Sequence, residues 1–298
     1  MASVITRRQP GLAPLLVASS LWGLWATGEK FGLAGMAGVT LLAVTLASST
    51  VLLWAILLRR GCHERPGHGQ LALLALLGFF EPMLGYGATI VGLAHVNASE
   101  AALLGGTEAV FVVVLTALSS RRAPTLGAVA GILLGAVGVA VLGGSRGDLG
   151  LSSGSLLVLA GSLSAAIATM IAGRAVTDMD PLVVTAYQFL FGLLFTMPLL
   201  VWHWSMGDGL LTASVHPGHW LTVVLVCGLG LGIAFLLYNR ALTRVSVSTA
   251  GIILNVIPVF GVATAVVFLR EALNVWQFIG AALIVGGIFL FTEKDLGK

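Results

Sequence analysis

Apolar residues occur along this chain in long runs, separated by short polar or Gly/Pro-rich segments. Most runs are about 20 residues long, the length that an α-helix needs to cross roughly 30 Å of hydrocarbon. The pattern therefore predicts ten transmembrane helices. Their spans are 12–32, 36–58, 70–93, 98–118, 124–143, 153–173, 182–203, 218–239, 247–269 and 275–292.

The composition agrees with a membrane protein. Of the 298 residues, 58% are hydrophobic and only 9% are charged, and the mean hydropathy is +1.03. A soluble domain needs about 25% charged residues to cover its surface. The basic residues form no dense cluster, so we expect no nucleic-acid partner. The two cysteines, Cys62 and Cys227, support neither a disulfide framework nor a thiolate metal site. We expect no metal, no cofactor and no catalytic residues.

The basic residues lie unevenly between alternate loops. With a cytoplasmic N-terminus, twelve Lys and Arg residues fall in the inside set and three, Lys30, Arg146 and Arg270, in the outside set. Loops that stay in the cytoplasm carry an excess of Lys and Arg. The count predicts a multi-pass protein of the cell inner (plasma) membrane with both termini in the cytoplasm.

The two halves of the chain resemble each other. A shift of 149 residues aligns 93–141 with 242–290 without a gap. Because five helices per half is an odd number, the second half must enter the membrane from the opposite side. We therefore predict an all-α membrane protein with two inverted five-helix repeats, 1–148 and 149–298, around a central cavity. Inverted repeats are typical of carriers that work by alternating access. A non-transporting membrane scaffold or an intramembrane enzyme is the alternative.

Two carboxylates lie near the middle of predicted helices. Glu81 precedes Pro82 in the third helix, and Glu108 is in the fourth. A central Asp in a membrane helix costs at least about 2.5 kcal/mol, so an acidic residue there usually faces a cavity or a partner. Pro82 also removes a backbone donor and breaks the helix. These positions suit a cation or ammonium site, or a proton that is bound during transport. The structural alternative is a buried, protonated Glu bonded to a neighbouring helix.

Other side chains are candidates for lining the pathway or for packing only. Asn255 lies three residues before Pro258 near the middle of the ninth helix, which favours a kinked, cavity-lining segment. The remaining candidates offer aromatic faces or an amide to an apolar or cationic substrate; they are Trp22, Tyr86, Tyr187 and Gln188.

Residues near helix ends have further interpretations. Tyr187 and Gln188 lie early in the seventh helix and Tyr238 late in the eighth, where a gating or interfacial position competes with one in the pathway. Glu29 and Lys30 lie at the outer end of the first helix, where we expect them to pair with each other or to extend towards water.

Three segments resemble the EamA family of the drug/metabolite transporter superfamily. The first helix reads LLVASSLWGLWATGEKFGL, with Trp22 followed by Gly23. Segment 86–118 is similar to the third and fourth helices of that family, and segment 239–290, with Pro258 and Glu271, to the matching part of its second half. Ala109 and Arg122 stand where the second half has Pro258 and Glu271.

The resemblance implies a secondary transporter that exports amino acids or related small metabolites, as YddG-like amino acid exporters do. Its partners would be a small-molecule substrate and membrane lipid. We expect a monomer or a weak dimer.

Overall fold

A computed structural model of the chain describes residues 12–61, 64–120, 125–143, 151–207, 209–212, 214–244, 256–288 and 290. Across these residues the secondary structure is helical, apart from one isolated bridge between Met36 and Leu211. The α-helices are α1 (Leu12–Gly32), α2 (Gly38–Arg59), α3 (His68–Gly78), α4 (Gly85–Leu93), α5 (Ala98–Gly105), α6 (Glu108–Ser120), α7 (Leu126–Gly143), α8 (Ser153–Asp178), α9 (Pro181–Ser205), α10 (Pro217–Thr222), α11 (Gly230–Leu242), α12 (Ile257–Leu269) and α13 (Val275–Ile288). Two π-helical segments, Phe79–Leu84 and Val223–Leu229, join α3 to α4 and α10 to α11.

Several helical stretches are long and apolar enough to cross a membrane. Among the described residues there are six, each of 22 to 26 residues: Gly38–Arg59, His68–Leu93, Ala98–Ser119, Ser153–Asp178, Pro181–Ser205 and Pro217–Leu242. Shorter apolar helices are Leu126–Val141, Ile257–Leu269 and Val275–Gly287. Large apolar side chains such as Val51, Leu133 and Phe268 are exposed, as expected of a surface that faces lipid. The protein is therefore a multi-pass membrane protein. The number of ten crossings stays a prediction.

Local side chains fix where individual helices begin. The Asp180 carboxylate accepts a hydrogen bond of 2.7 Å from the backbone N–H of Leu182, and Pro181 occupies the first turn of α9. At the start of α13, the Gln277 N–H donates to the Asn274 side-chain oxygen, and the Asn274 N–H donates to the Gln277 side-chain oxygen. This reciprocal arrangement is a capping box, which satisfies backbone donors that the helix itself leaves free.

The principal helix contacts connect the first predicted half with the second. Helix α2 packs against α9, α4 against α8, α5 against α12, α7 against α13, and α1 against both α11 and α12. Small residues allow the backbones to approach closely. A Cβ added to Gly92 would lie 2.6 Å from the carbonyl oxygen of Gly154, and one added to Gly287 would lie 2.6 Å from that of Gly131. The two predicted halves therefore pack against each other through most of their helices.

Candidate functional site

The helical stretch formed by α3 and α4 is broken in its middle. Glu81 has φ −148° and ψ 121°, an extended conformation, and the next residue, Pro82, has no N–H to donate. Neighbouring helices supply the missing donors. The Ser164 hydroxyl donates to the carbonyl oxygen of Phe80 at 2.7 Å, and the Gln188 amide donates to that of Glu81 at 2.9 Å. Irregular backbone at membrane depth is stable where protein surrounds it or where it lines a cavity.

A second break separates α5 from α6. Gly106 and Thr107 form a turn between the two helices, and Glu108 begins α6. The Thr169 hydroxyl of α8 donates to the Glu108 carboxylate at 2.9 Å. Pro258 of α12 packs against the turn, because a Cβ added to Gly106 would lie 2.9 Å from the Pro258 ring. A carboxylate therefore lies at each of the two breaks.

The two carboxylates are close neighbours. Glu81 and Glu108 interact electrostatically with each other and with the hydroxyl groups of Tyr86 and Tyr238. Protein surrounds both carboxylates, yet each glutamate retains partial accessibility. That combination is expected of groups that line an internal space. The breaks bring together two acidic residues that are 27 positions apart in the sequence (108 − 81).

Aromatic rings form a wall beside the carboxylates. The Trp22 ring lies 5.0 Å from Phe235 and 5.4 Å from Tyr238, both edge to face. Tyr86 lies 4.4 Å from Trp25 and 6.1 Å from Phe235. These rings come from α1, α4 and α11, and two of them, Tyr86 and Tyr238, interact electrostatically with the acidic groups.

The remaining predicted site residues have different positions. Tyr187 packs between Trp54 and Phe191, at ring distances of 5.3 and 6.4 Å, and no described contact places it at the carboxylates. Gln188 is buried and reaches the site through the Glu81 backbone rather than through an exposed amide. Asn255 lies outside the described residues, so its place in the pathway stays a prediction.

The comparisons with known proteins give one decisive match. The model of the EamA-like transporter family matches residues 9–144 and again residues 152–292. The chain belongs to the EamA-like transporter family. This confirms the resemblance found in the sequence, and it agrees with a place in the drug/metabolite transporter superfamily. An EamA-like chain is a membrane transporter of a small molecule and not an enzyme.

Relatives of this EamA-like chain carry transporter names. It is 27% identical to a "Probable terminal-alkyne amino-acid exporter" of Streptantibioticus cattleyicolor, over 95% of this chain and 96% of that protein. It is 26% identical to the "Uncharacterized transporter YetK" of Bacillus subtilis, over 69% of this chain and 63% of that protein. A crystal structure of a protein 23% identical in sequence superimposes with a TM-score of 0.66, over 95% of this chain and 96% of that one; this likeness concerns the fold alone.

Three side chains of the EamA-like site were not among the predicted site residues. Thr169 is one of several hydroxyl residues in an apolar helix, and its polar character was the available signal. Phe235 is one of 13 phenylalanines, and nothing in its local sequence distinguishes it. Tyr238, for which the sequence left a gating or interfacial position open, is 6% exposed, and its ring lies 5.4 Å from that of Trp22 in the aromatic wall.

The expected pairing of Glu29 with Lys30 is wrong. The Lys30 ammonium donates to the carbonyl oxygens of Leu93 and Val96, at 2.6 Å each, and so caps the C-terminal end of α4. Glu29 points elsewhere and is completely buried. It therefore extends neither to Lys30 nor to water.

Glu271 stabilises the start of α5 in a similar way. Its carboxylate accepts hydrogen bonds from the backbone N–H groups of Ala98 and Ser99, at 2.8 and 2.9 Å, and from the Ser99 hydroxyl at 2.6 Å. A negative charge at a helix N-terminus is favoured by the helix dipole. Lys30 and Glu271 thus fix the two helix ends that flank the connection between α4 and α5.

Proposed function

We propose that this protein is a secondary transporter that exports amino acids or related small metabolites across the inner membrane by alternating access. The single observation that carries the proposal is the pair of carboxylates at two helix breaks, beside an aromatic wall. The ammonium group of the substrate binds between Glu81 and Glu108, and its apolar part lies against Trp22, Tyr86 and Phe235.

Charge supports an ammonium ligand. Two ionised carboxylates in surroundings of low dielectric repel each other, and a cation between them offsets that repulsion. The rings beside them add favourable contacts for a cation through their π-faces and for an apolar side chain through burial. The name of the Streptantibioticus relative, a probable amino-acid exporter, agrees with a substrate of this kind.

The helix contacts support the inverted repeat. A shift of 149 residues carries the stretch 68–93 onto 217–242, the exact bounds of the second broken helix. The same shift relates α2 to α9, α5–α6 to α12, and α7 to α13, and each of these pairs is in contact. It relates α1 to α8, so that the contact of α4 with α8 becomes the contact of α11 with α1. A two-fold relation between halves would produce this pattern.

The stretches 68–93 and 217–242 each contain a π-helical segment, Phe79–Leu84 in the first and Val223–Leu229 in the second. Interrupted helices in corresponding positions of two halves are typical of carriers with a central site. The distribution of Lys and Arg between alternate loops supports a cytoplasmic position for both termini of the chain.

Purified protein in liposomes tests the proposal with matched pairs of compounds. We expect saturable flux of at least one apolar amino acid, and much weaker competition from its α-hydroxy analogue, which lacks the ammonium group. Flux no greater than in protein-free liposomes across a broad panel would count against transport. Equal competition by both members of every pair would count against the ammonium site.

A further inference from the structure

A third acidic residue is buried away from the proposed substrate site. Glu29 of α1 has no exposed surface. One carboxyl oxygen, Oε1, accepts a hydrogen bond of 3.0 Å from the Thr45 hydroxyl of α2. The other, Oε2, is buried and has no hydrogen-bond partner among the described residues. The carboxyl group therefore has one hydrogen-bonded oxygen and one oxygen without a hydrogen-bond partner among the described residues.

The groups that face Glu29 come from each helix packed against it. Thr45 belongs to α2, and Cys227, a buried free thiol, to the π-helical segment Val223–Leu229. The Trp25 indole lies beside the carboxyl one turn earlier in α1. Tyr86 of α4 is the next titratable group, near enough for an electrostatic interaction. Of these side chains, Thr45 donates a hydrogen bond to the carboxyl, and none of the four carries a positive charge.

Basic side chains near this end of α1 make other contacts. The ammonium of the adjacent residue, Lys30, donates to the carbonyl oxygens of Leu93, at the end of α4, and of Val96, in the connection that follows. His219 packs against the ring of Phe31, two residues after Glu29 in α1, at 4.7 Å. Within the described part of the chain, Glu29 therefore has no cationic partner.

We propose that Glu29 is a proton-binding site of this transporter, distinct from the substrate pair Glu81 and Glu108. The described neighbours favour a proton over a metal cation, because an alkali or alkaline-earth ion needs several oxygen ligands. Here the neighbouring groups are a hydroxyl, a thiol and an indole. Burial stabilises the neutral carboxyl, and the hydrogen bond from the Thr45 hydroxyl stabilises the carboxylate, so that each form has a favourable interaction.

The surroundings of Glu29 connect it with the substrate site. Trp25, beside the Glu29 carboxyl, is in ring contact with Tyr86 at 4.4 Å, and Tyr86 interacts electrostatically with Glu81 and Glu108. Trp22, in the aromatic wall, is on the same helix as Glu29. A proton gained or lost at Glu29 changes the contacts of α1 with α2 and with the π-helical segment, and α1 carries that change to the wall.

The transport test rests on the proposed function and compares two modes of flux in liposomes. With a pH gradient as the only driving force, wild-type protein should accumulate substrate, and E29Q should lose this accumulation. Exchange of labelled for unlabelled substrate at equal pH should continue in E29Q. The control E100Q changes another buried carboxyl, which accepts from Ser155 at 2.8 Å, and should retain both modes. Accumulation in E29Q equal to wild type, or no response of wild type to the gradient, would overturn the Glu29 proposal and leave the substrate site intact.

A chemical test needs no transport at all. A hydrophobic carbodiimide reacts with protonated carboxyl groups in apolar surroundings, and peptide mass spectrometry locates the adduct. In wild-type protein in detergent, we expect an adduct on Glu29 whose yield falls as the pH is raised. No adduct on Glu29 at any pH, or a yield independent of pH while the reagent remains active, would contradict the proposal. Because the measurement uses wild-type protein, it stands even if E29Q does not fold or if no substrate is transported.

Discussion

Replacement of Glu108 by glutamine removes one negative charge from the substrate site and keeps the size of the side chain. The Thr169 hydroxyl, 2.9 Å from the Glu108 carboxylate, can still donate to the oxygen of the new amide. What the substrate ammonium loses is a hydrogen bond to a charged group, which is worth about 1.5–3 kcal/mol. At about 1.4 kcal/mol for each factor of ten, the KM of an amino acid should rise roughly 10- to 150-fold.

The assay is exchange flux in liposomes as a function of substrate concentration, for an apolar amino acid and for its α-hydroxy analogue. The hydroxy compound has no ammonium to lose, so E108Q should leave its apparent affinity close to that of wild type. The variant T169V is the control for a local packing change and should affect both compounds alike and weakly. An equal loss of both compounds in E108Q, or unchanged affinity for the amino acid, would refute the ammonium site.

Three further predictions concern stability and orientation. Glu271→Ala removes the acceptor for two backbone donors at the start of α5 and should cost about 0.5–2 kcal/mol of stability, measured as a lower Tm in detergent. The control Glu64→Ala, at an exposed site, should change the Tm less. Equal Tm shifts in the two variants would contradict the capping role of Glu271. Gly23→Ala should lower the Tm, because the new Cβ would lie 2.8 Å from the backbone nitrogen of Gly261. Gly173→Ala, whose Cβ would have nothing within 4 Å, should instead raise stability by about 0.5–1 kcal/mol. A Tm for Gly23→Ala at or above that of Gly173→Ala would contradict the close packing of α1 and α12. A membrane-impermeant maleimide should label wild-type protein at Cys62 alone, since Cys227 is buried. Because Cys62 belongs to a predicted cytoplasmic loop, the label should react only from the cytoplasmic side. Labelling from outside would overturn the predicted orientation.

The helices were predictable because their signal is local. Each predicted span contains helix in the structure, and most bounds differ by a few residues, such as 70–93 against His68–Leu93. The predicted start of the ninth span, at 247, lies outside the described residues. Hydrocarbon thickness sets the length of an apolar run, so composition alone carries that information. Glu81 and Glu108 were recognisable in the same way, because a charge in an apolar run is unusual.

The partners of those carboxylates depend on contacts between distant segments. Thr169 is 61 positions from Glu108 in the sequence, and Phe235 joins the aromatic wall only through the packing of α1, α4 and α11. Glu29 shows the same limit. Its neighbour Lys30 suggested an ion pair, but successive residues on a helix point in different directions. Lys30 faces the end of α4, and Glu29 faces α2 and the π-helical segment.

The most direct test of the account compares wild-type protein with the double variant Glu81→Gln and Glu108→Gln in liposomes preloaded with an unlabelled apolar amino acid. Wild type should exchange it for external labelled amino acid with saturable kinetics, and the double variant should exchange at the rate of protein-free liposomes while its Tm in detergent shows that it is folded. Exchange by the double variant at the wild-type rate would contradict a substrate site at these two carboxylates.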